Sequence, residues 1–459
     1  MKKLICLGLL SALVSCSTMQ IPLINKTKSY TDTTLSNGLK VLLIEDHSLP
    51  YISVGLLVRS GSSQDPVSKS GLAELTADLL ERGTKKKNAT HIADEFGQLG
   101  TAFASEVGYD FTYFSTSGLS DHQDELISLF FEVITQASFT IGEVERLKSE
   151  IIADIQRNYD KPDYVADRLY AQMLFGAHPY GRSVMGSVRD VRSIKQKDVI
   201  RNYLKSYRPN NAQLVLVGDL HSDIIKSLDT KLADWHPQDL QNERLPNLRP
   251  LNGLAFQLVN RDELKQSEVR IGHYGVKRQI SDYQTLMVAE TILGGGMTSR
   301  LMSEIRIRRG LTYGIYSSFE ARLDTGPFVI VSETRHEKVG ELIREAIQLL
   351  NDFYSKGVTK TEVADAISFL KGSFPSRIET PDQRAKMLIS LRFYGISDDY
   401  MMDYVKNLDK ISASDVNKVI KKYYHPDQLR VFIYGPRDKI IEQLRPIGAV
   451  DVKDYRELL

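Results

Sequence analysis

Asn37-Gly38-Leu39-Lys40-Val41-Leu42-Leu43, a turn feeding a strand, recurs as Asn252-Gly253-Leu254-Ala255-Phe256-Gln257-Leu258. A second apolar strand follows each copy, Ile52 to Arg59 and Val269 to Val276. Further on, Glu143-Val144 leads through a helix to Pro162 and then Phe175-Gly176; Glu362-Val363 leads to Pro381 and Tyr394-Gly395 in the same order. Each half closes on a proline and a strand ending in glycine, Pro209 to Gly218 and Pro426 to Gly435. Blocks that keep order and separation mark an internal duplication.

Each copy reads strand, strand, helix, helix, strand, a long helical stretch, strand. In the first copy the spacing predicts helices over 68–80, 89–99, 121–137 and 141–175, with strands between 102 and 118. Helix pairs mixed with strands, without strict βαβ alternation, predict an α+β fold. Two homologous domains are expected, 32–236 and 250–459, each a mainly antiparallel sheet with helices on one face. The stretch 237–249, with Pro237 and Pro246 among polar residues, reads as a linker.

At 459 residues, 42% of them hydrophobic, the chain is long enough for two such cores. Its 59 basic and 58 acidic residues are interspersed and leave a formal charge of +1, so no basic face points to nucleic acid. Met1-Lys2-Lys3 and the apolar run Leu4 to Val14 form a secretory signal too short to span a bilayer. It ends Leu13-Val14-Ser15-Cys16, which resembles the bacterial lipoprotein box. That resemblance implies a signal over 1–16, lipid on Cys16, a tether over 17–31 and, with Ser17 next, an outer-membrane anchor facing the periplasm. Only Cys6 and Cys16 occur, so no disulfide framework is available.

The second copy carries Gly294-Gly295-Gly296-Met297-Thr298-Ser299-Arg300-Leu301, a helix, then Arg306 and Gly310-Leu311-Thr312-Tyr313 opening a strand from 312 to 319. A guanidinium and a phenol delivered at the ends of adjoining elements can donate hydrogen bonds to a carbonyl oxygen as it becomes an oxyanion. They contain no nucleophile and cannot break a bond alone. The plain alternative is a surface arginine beside Arg308 and Arg309 and a core tyrosine that starts a strand.

With Gly71-Leu72-Ala73 opening a helix, Arg82-Gly83-Thr84 ending it, Gly108-Tyr109-Asp110-Phe111-Thr112-Tyr113 and His178-Pro179-Tyr180-Gly181, the chain resembles the pitrilysin/insulinase family of zinc peptidases in its short two-domain bacterial form. The six residues between Arg306 and Tyr313 match that family's spacing for a pair that binds substrate opposite the zinc. The family's inverted motif, H-x-x-E-H, supplies two imidazole ligands and a carboxylate base. Here the matching positions are Glu74, Ala77 and Asp78, and the third ligand falls near Asp154. No zinc is expected in this chain, because both imidazoles and the base are gone and water without a metal keeps its bulk pKa. Glu74, Asp78 and Asp154 read either as a solvated helix face or as an all-oxygen site for a hard cation.

The resemblance implies a non-zinc subunit of a heteromeric peptidase. Arg306 and Tyr313 would act in trans on an unstructured peptide, and zinc would sit in a related partner with an intact H-x-x-E-H motif. Ala102, Phe103, Ala104 and Ser105 stand where the family pairs an extended substrate with a sheet edge, and Gly294, Gly295 and Gly296 are further substrate-side candidates. The rival expectation is an inert peptidase-like scaffold or binding protein of the cell envelope.

Overall fold

The computed structural model describes residues 30–240 and 244–458. The signal and Cys16 lie outside the described residues, as does most of the 17–31 stretch; the first strand opens at Tyr30. Two six-stranded sheets form the frame. The first holds β1 (Tyr30–Thr34), β2 (Lys40–Glu45), β3 (Tyr51–Val58), β4 (Ala104–Val107), β5 (Thr112–Leu119) and β6 (Ala212–Gly218), in the order β1-β2-β6-β3-β5-β4. The second holds β7 (Ala255–Asn260), β8 (Ser267–Tyr274), β9 (Ile315–Phe319), β10 (Pro327–Thr334), β11 (Arg430–Gly435) and β12 (Val450–Asp454), in the order β12-β7-β11-β8-β10-β9. Five strands of each sheet correspond, with β2/β6 matched by the parallel pair β7/β11 and the edge strand β4 matched by β9. The duplicated α+β architecture is thus as the sequence predicts.

The central strands are buried along nearly their whole length, which requires cover on both faces. Along β2, Val41 and Leu43 pack with the first half's own helices, while Leu42 and Ile44 join a core shared with the second half. The cover on that far face is exchanged. The Pro381–Phe393 helix of the second half packs on β3 and β6, and the Pro162–Phe175 helix of the first half packs on β8 and β11. Val165, Leu169 and Tyr170 of the latter meet Val259, Val329 and Phe432. Each helix starts with proline at its first turn, where the missing N–H costs nothing. Pro162 also splits the expected 141–175 helix into Ile141–Asn158 and Pro162–Phe175.

Among the described residues no helix is long and apolar enough to cross a membrane.

Candidate functional site

The helix that carries the zinc-motif positions is shorter than expected, Leu72–Asp78. It begins where it does because the Asp65 carboxylate accepts the backbone N–H groups of Gly71, Leu72 and Ala73 at 2.8, 3.1 and 3.0 Å, satisfying donors that the first turn leaves open. Ala77 is fully buried in the core of the first half. Glu74 and Asp78 are half-buried one turn apart. Burial, with the nearby Asp78 and Asp65 charges adding, pushes the Glu74 carboxyl up to about 7. Burial also raises Asp78, against the hydrogen bond that Ser105 Oγ donates to its Oδ1 at 2.9 Å and the charge of Arg82.

Asp154 does not join them in a metal cluster. It pairs with Arg157 on its own helix and is 42% exposed. Among the described residues no group of three or more His, Cys, Asp or Glu is placed to hold a metal ion. The residues present do not fit zinc: a carboxylate, a methyl and a carboxylate stand at the motif positions, with no imidazole. Of the two readings of these carboxylates, the structure gives the all-oxygen site no geometry.

The substrate-edge candidates divide. The strand begins at Ala104, later than expected, so only Ala104 and Ser105 of the four belong to β4. Phe103 turns inward and stacks on Phe114, with centroids 5.6 Å apart. Ala102 is exposed beside it. β4 is the edge of its sheet and leaves one side of its backbone ladder open.

Arg306 lies in a π-helical turn, Met302–Arg308, in which Arg309 N–H donates to Glu304 O at 3.1 Å. Such wide turns recur at functional positions and tilt side chains off the ordinary helical faces. The turn ends in a left-handed residue, Gly310 at φ +61°, a conformation only glycine adopts without strain. Leu301 and Ile305 are fully buried beneath it. The neighbouring cations are paired, Arg308 with Glu304 at 3.1 Å, and Arg309 with Glu304 at 2.8 Å and Glu345 at 2.9 Å. Arg306 forms no ion pair among the described residues; its Nη1 donates to Met297 Sδ at 3.3 Å.

Tyr313 is 80% exposed, so it is not the core tyrosine of the plain alternative. The strand after it starts at Ile315, three residues later than expected, because Thr312 Oγ1 accepts from Gly314 N–H at 3.0 Å and donates to Gly314 O at 2.9 Å, holding a local turn. β9, which this turn launches, is the edge strand of the second sheet.

The three glycines have different reasons. A Cβ on Gly294 would stand 2.4 Å from Ser317 Oγ and 2.5 Å from Ser317 N, and one on Gly295 would stand 2.7 Å from Thr291 Cα. Gly296 has open space around it. Gly294 therefore lets the end of the Tyr283–Leu293 helix close on β9, Gly295 folds back over the last turn of that same helix, and Gly296 meets no neighbour.

Sequence reasoning missed the interdomain contacts of the Pro381–Phe393 helix. Lys386 pairs with Glu106 on β4, and Arg384 reaches Asp46 at 3.1 Å. The repeated proline at 162 and 381 was their only trace, and it marked a helix start without saying which sheet the helix covers.

Comparison with known families finds the insulinase (peptidase family M16) model over residues 40–188 and the peptidase M16 inactive domain model over residues 193–370. A Helicobacter pylori protein named non-peptidase homolog YmxG is 27% identical over 405 residues, covering 87% of this chain and 92% of that one. A Bacillus subtilis protein named uncharacterized zinc protease YmxG is 21% identical, covering 76% and 85%. Among solved structures, a peptidase M16 inactive domain from Pseudomonas fluorescens superposes with a TM-score of 0.82 at 27% identity, over 89% of this chain and 98% of that one.

Proposed function

We propose, from the premise that this chain belongs to the insulinase (peptidase M16) family, that it is the non-zinc subunit of a heteromeric peptidase of the cell envelope. One observation carries the reading. Arg306 and Tyr313 present an unpaired guanidinium and an open phenol at the launch of an edge strand, while the helix that would hold zinc carries Glu74, Ala77 and Asp78. In this role Arg306 and Tyr313 donate hydrogen bonds to the oxygen of a peptide carbonyl, and they favour the state in which that oxygen is most negative. β4 offers its open ladder to an extended, unstructured peptide. The related partner would contribute the intact H-x-x-E-H motif and the zinc. Lipid on Cys16 would hold the assembly at the outer membrane, with the body in the periplasm.

The test is co-expression with a related secreted chain that carries the intact motif, followed by cleavage of an unstructured fluorogenic peptide. Arg306→Ala and Tyr313→Phe in this chain should each lower kcat by about 100- to 1,000-fold, the range for losing an oxyanion donor. Both residues are off the core, so the variants should unfold within about 0.5 kcal/mol of the parent. Unchanged turnover in the double variant would remove the trans-site reading. A second reading, an inert peptidase-like scaffold, is favoured by the name of the Helicobacter pylori relative, non-peptidase homolog. It predicts a complex without any turnover that depends on Arg306 or Tyr313.

A further inference from the structure

The helix exchange leaves two equivalent crevices, one beside each exchanged helix. Beside Pro162–Phe175, against β9 and β10, lies a cavity of about 390 Å³ whose cations are engaged. Arg168 donates to Tyr159 Oη at 2.8 Å, Arg182 to Asp65 O at 2.9 Å, and Arg322 pairs with Glu320 at 2.9 Å. Beside Pro381–Phe393, against Leu57 and Tyr113 of the first sheet, lies the counterpart, about 380 Å³. Its walls are mostly apolar, with Phe111, Met287, Phe374 and Met387 among them. Of its three cations, Lys386 is ion-paired and Arg278 is held by aromatic rings.

Arg278 and Arg377 both line this second cavity, and among the described residues neither forms an ion pair with a carboxylate. The Arg278 guanidinium sits over the Tyr283 ring, 3.8 Å from its centroid, and 5.1 Å from the centroid of Tyr400, which orients it without neutralising it. Lys386, the third cation of the lining, is neutralised by Glu106. The Tyr404 side chain, 2% exposed, also lines the cavity, and its Oη has no hydrogen-bond partner among the described residues. A buried hydroxyl without a partner is destabilising, so the site gains when an acceptor arrives. Burial pushes Tyr283 and Tyr404 up to about 12, so both remain phenols and can donate at neutral pH.

We propose that this crevice binds a small apolar carboxylate, its head held by Arg278, Arg377 and the Tyr404 phenol and its hydrocarbon or aromatic body lying on Phe111, Met287 and Phe374. A neutral apolar molecule would leave two guanidiniums and a phenol unmatched, and a cation would be repelled. A planar carboxylate accepts from guanidinium and phenol together. The volume is at the lower end of the range of about 300–1,000 Å³ for ligand pockets, which suits a short chain or a single aromatic acid. The same chemistry is offered by a free fatty acid and by the C-terminal residue of an apolar peptide.

Calorimetric titration of the full chain decides it, with decanoate, decyltrimethylammonium below micelle formation, acetate, and acetyl-Ala-Ala-Phe as free acid and as amide. Decanoate should bind at one saturable site, and acetate and decyltrimethylammonium should not. Arg377→Gln, at an exposed position that leaves the fold intact, should weaken decanoate at least ten-fold, and Ser390→Trp, which fills the cavity, should abolish binding. Competition by the peptide acid and not its amide would assign the source to a peptide terminus; competition by neither, with decanoate bound, would assign it to a fatty acid. Equal binding of the cationic amphiphile, decanoate binding unmoved by Arg377→Gln and Ser390→Trp, or no decanoate binding up to millimolar concentration would each overturn the proposal.

Discussion

Arg270 lies within the second sheet, 1% exposed, and its Nε donates across 2.5 Å to Oδ1 of Asp167, a residue of the helix that the first half contributes. Its Nη1 also meets Glu268 at 3.0 Å, on the same strand. The two carboxylates differ in setting, since the Asp167 side chain is 65% exposed and Glu268 is buried. Removing the guanidinium strands a buried charge, whereas removing the exposed partner does not.

Arg270→Ala is therefore expected to cost about 3–5 kcal/mol, and Asp167→Ala no more than about 1 kcal/mol, as solvent screens that side of the pair. Urea unfolding of both variants measures the difference. Equal costs would mean that the attraction between the halves, rather than the burial of Glu268, sets the energetics.

Because each sheet is covered on its far face by the other half, neither half is complete alone. Fragments 30–236 and 250–459, expressed separately, should lack a cooperative unfolding transition, and co-expression should restore one. Leu42, Ile44, Leu57, Val215 and Val217 would be stripped of their cover in the first fragment. A separately expressed fragment that unfolds cooperatively would show that the exchange is dispensable.

The glycine run supplies a paired test. Gly294→Ala forces either the Ser317 backbone or the Tyr283–Leu293 helix to move and should lose about 1–3 kcal/mol. Gly296→Ala meets open space and should lie within about 0.5 kcal/mol of the parent. Thermal unfolding of the two variants side by side checks this, and comparable losses would mean that Gly296 is held by something other than packing.

Glu74 gives a pH signature. Its folded-state carboxyl titrates near 7 against an ordinary 4.5, so the folded chain holds more protons than the unfolded chain between those values. Stability from this group is complete below about 4.5 and is lost as pH rises through about 7. Glu74→Gln removes the loss and should gain about 1–3 kcal/mol over the parent on going from pH 5 to pH 8, at about 1.4 kcal/mol per pH unit. Denaturant midpoints at the two pH values measure it; a variant with no relative gain at pH 8 would place Glu74 in a wetter setting than its burial implies.

The sequence alone determined the duplication, the α+β class, the order of the five strands the two halves share, though not β1 or β12, and the loss of imidazoles at 74 and 78. These depend on local chemistry: turn glycines, apolar periodicity, helix-opening prolines and the identity of single side chains. It also placed Arg306 and Tyr313 at the junction of a helical turn and a strand.

Only the tertiary structure decided which sheet each helix covers. The central strands are apolar on both faces, so their sequence carries no alternation to show where one core ends and the next begins. The same limit hid the division of labour among Arg306, Arg308 and Arg309, three equal cations in sequence. Arg308 and Arg309 are engaged by Glu304 and Glu345, and Glu345 comes from a helix some forty residues away, so pairing was set by packing rather than by spacing. Asp154, in register with a metal ligand by count, is taken by Arg157 one turn along its own helix, because a charge on an exposed face pairs with the nearest opposite charge.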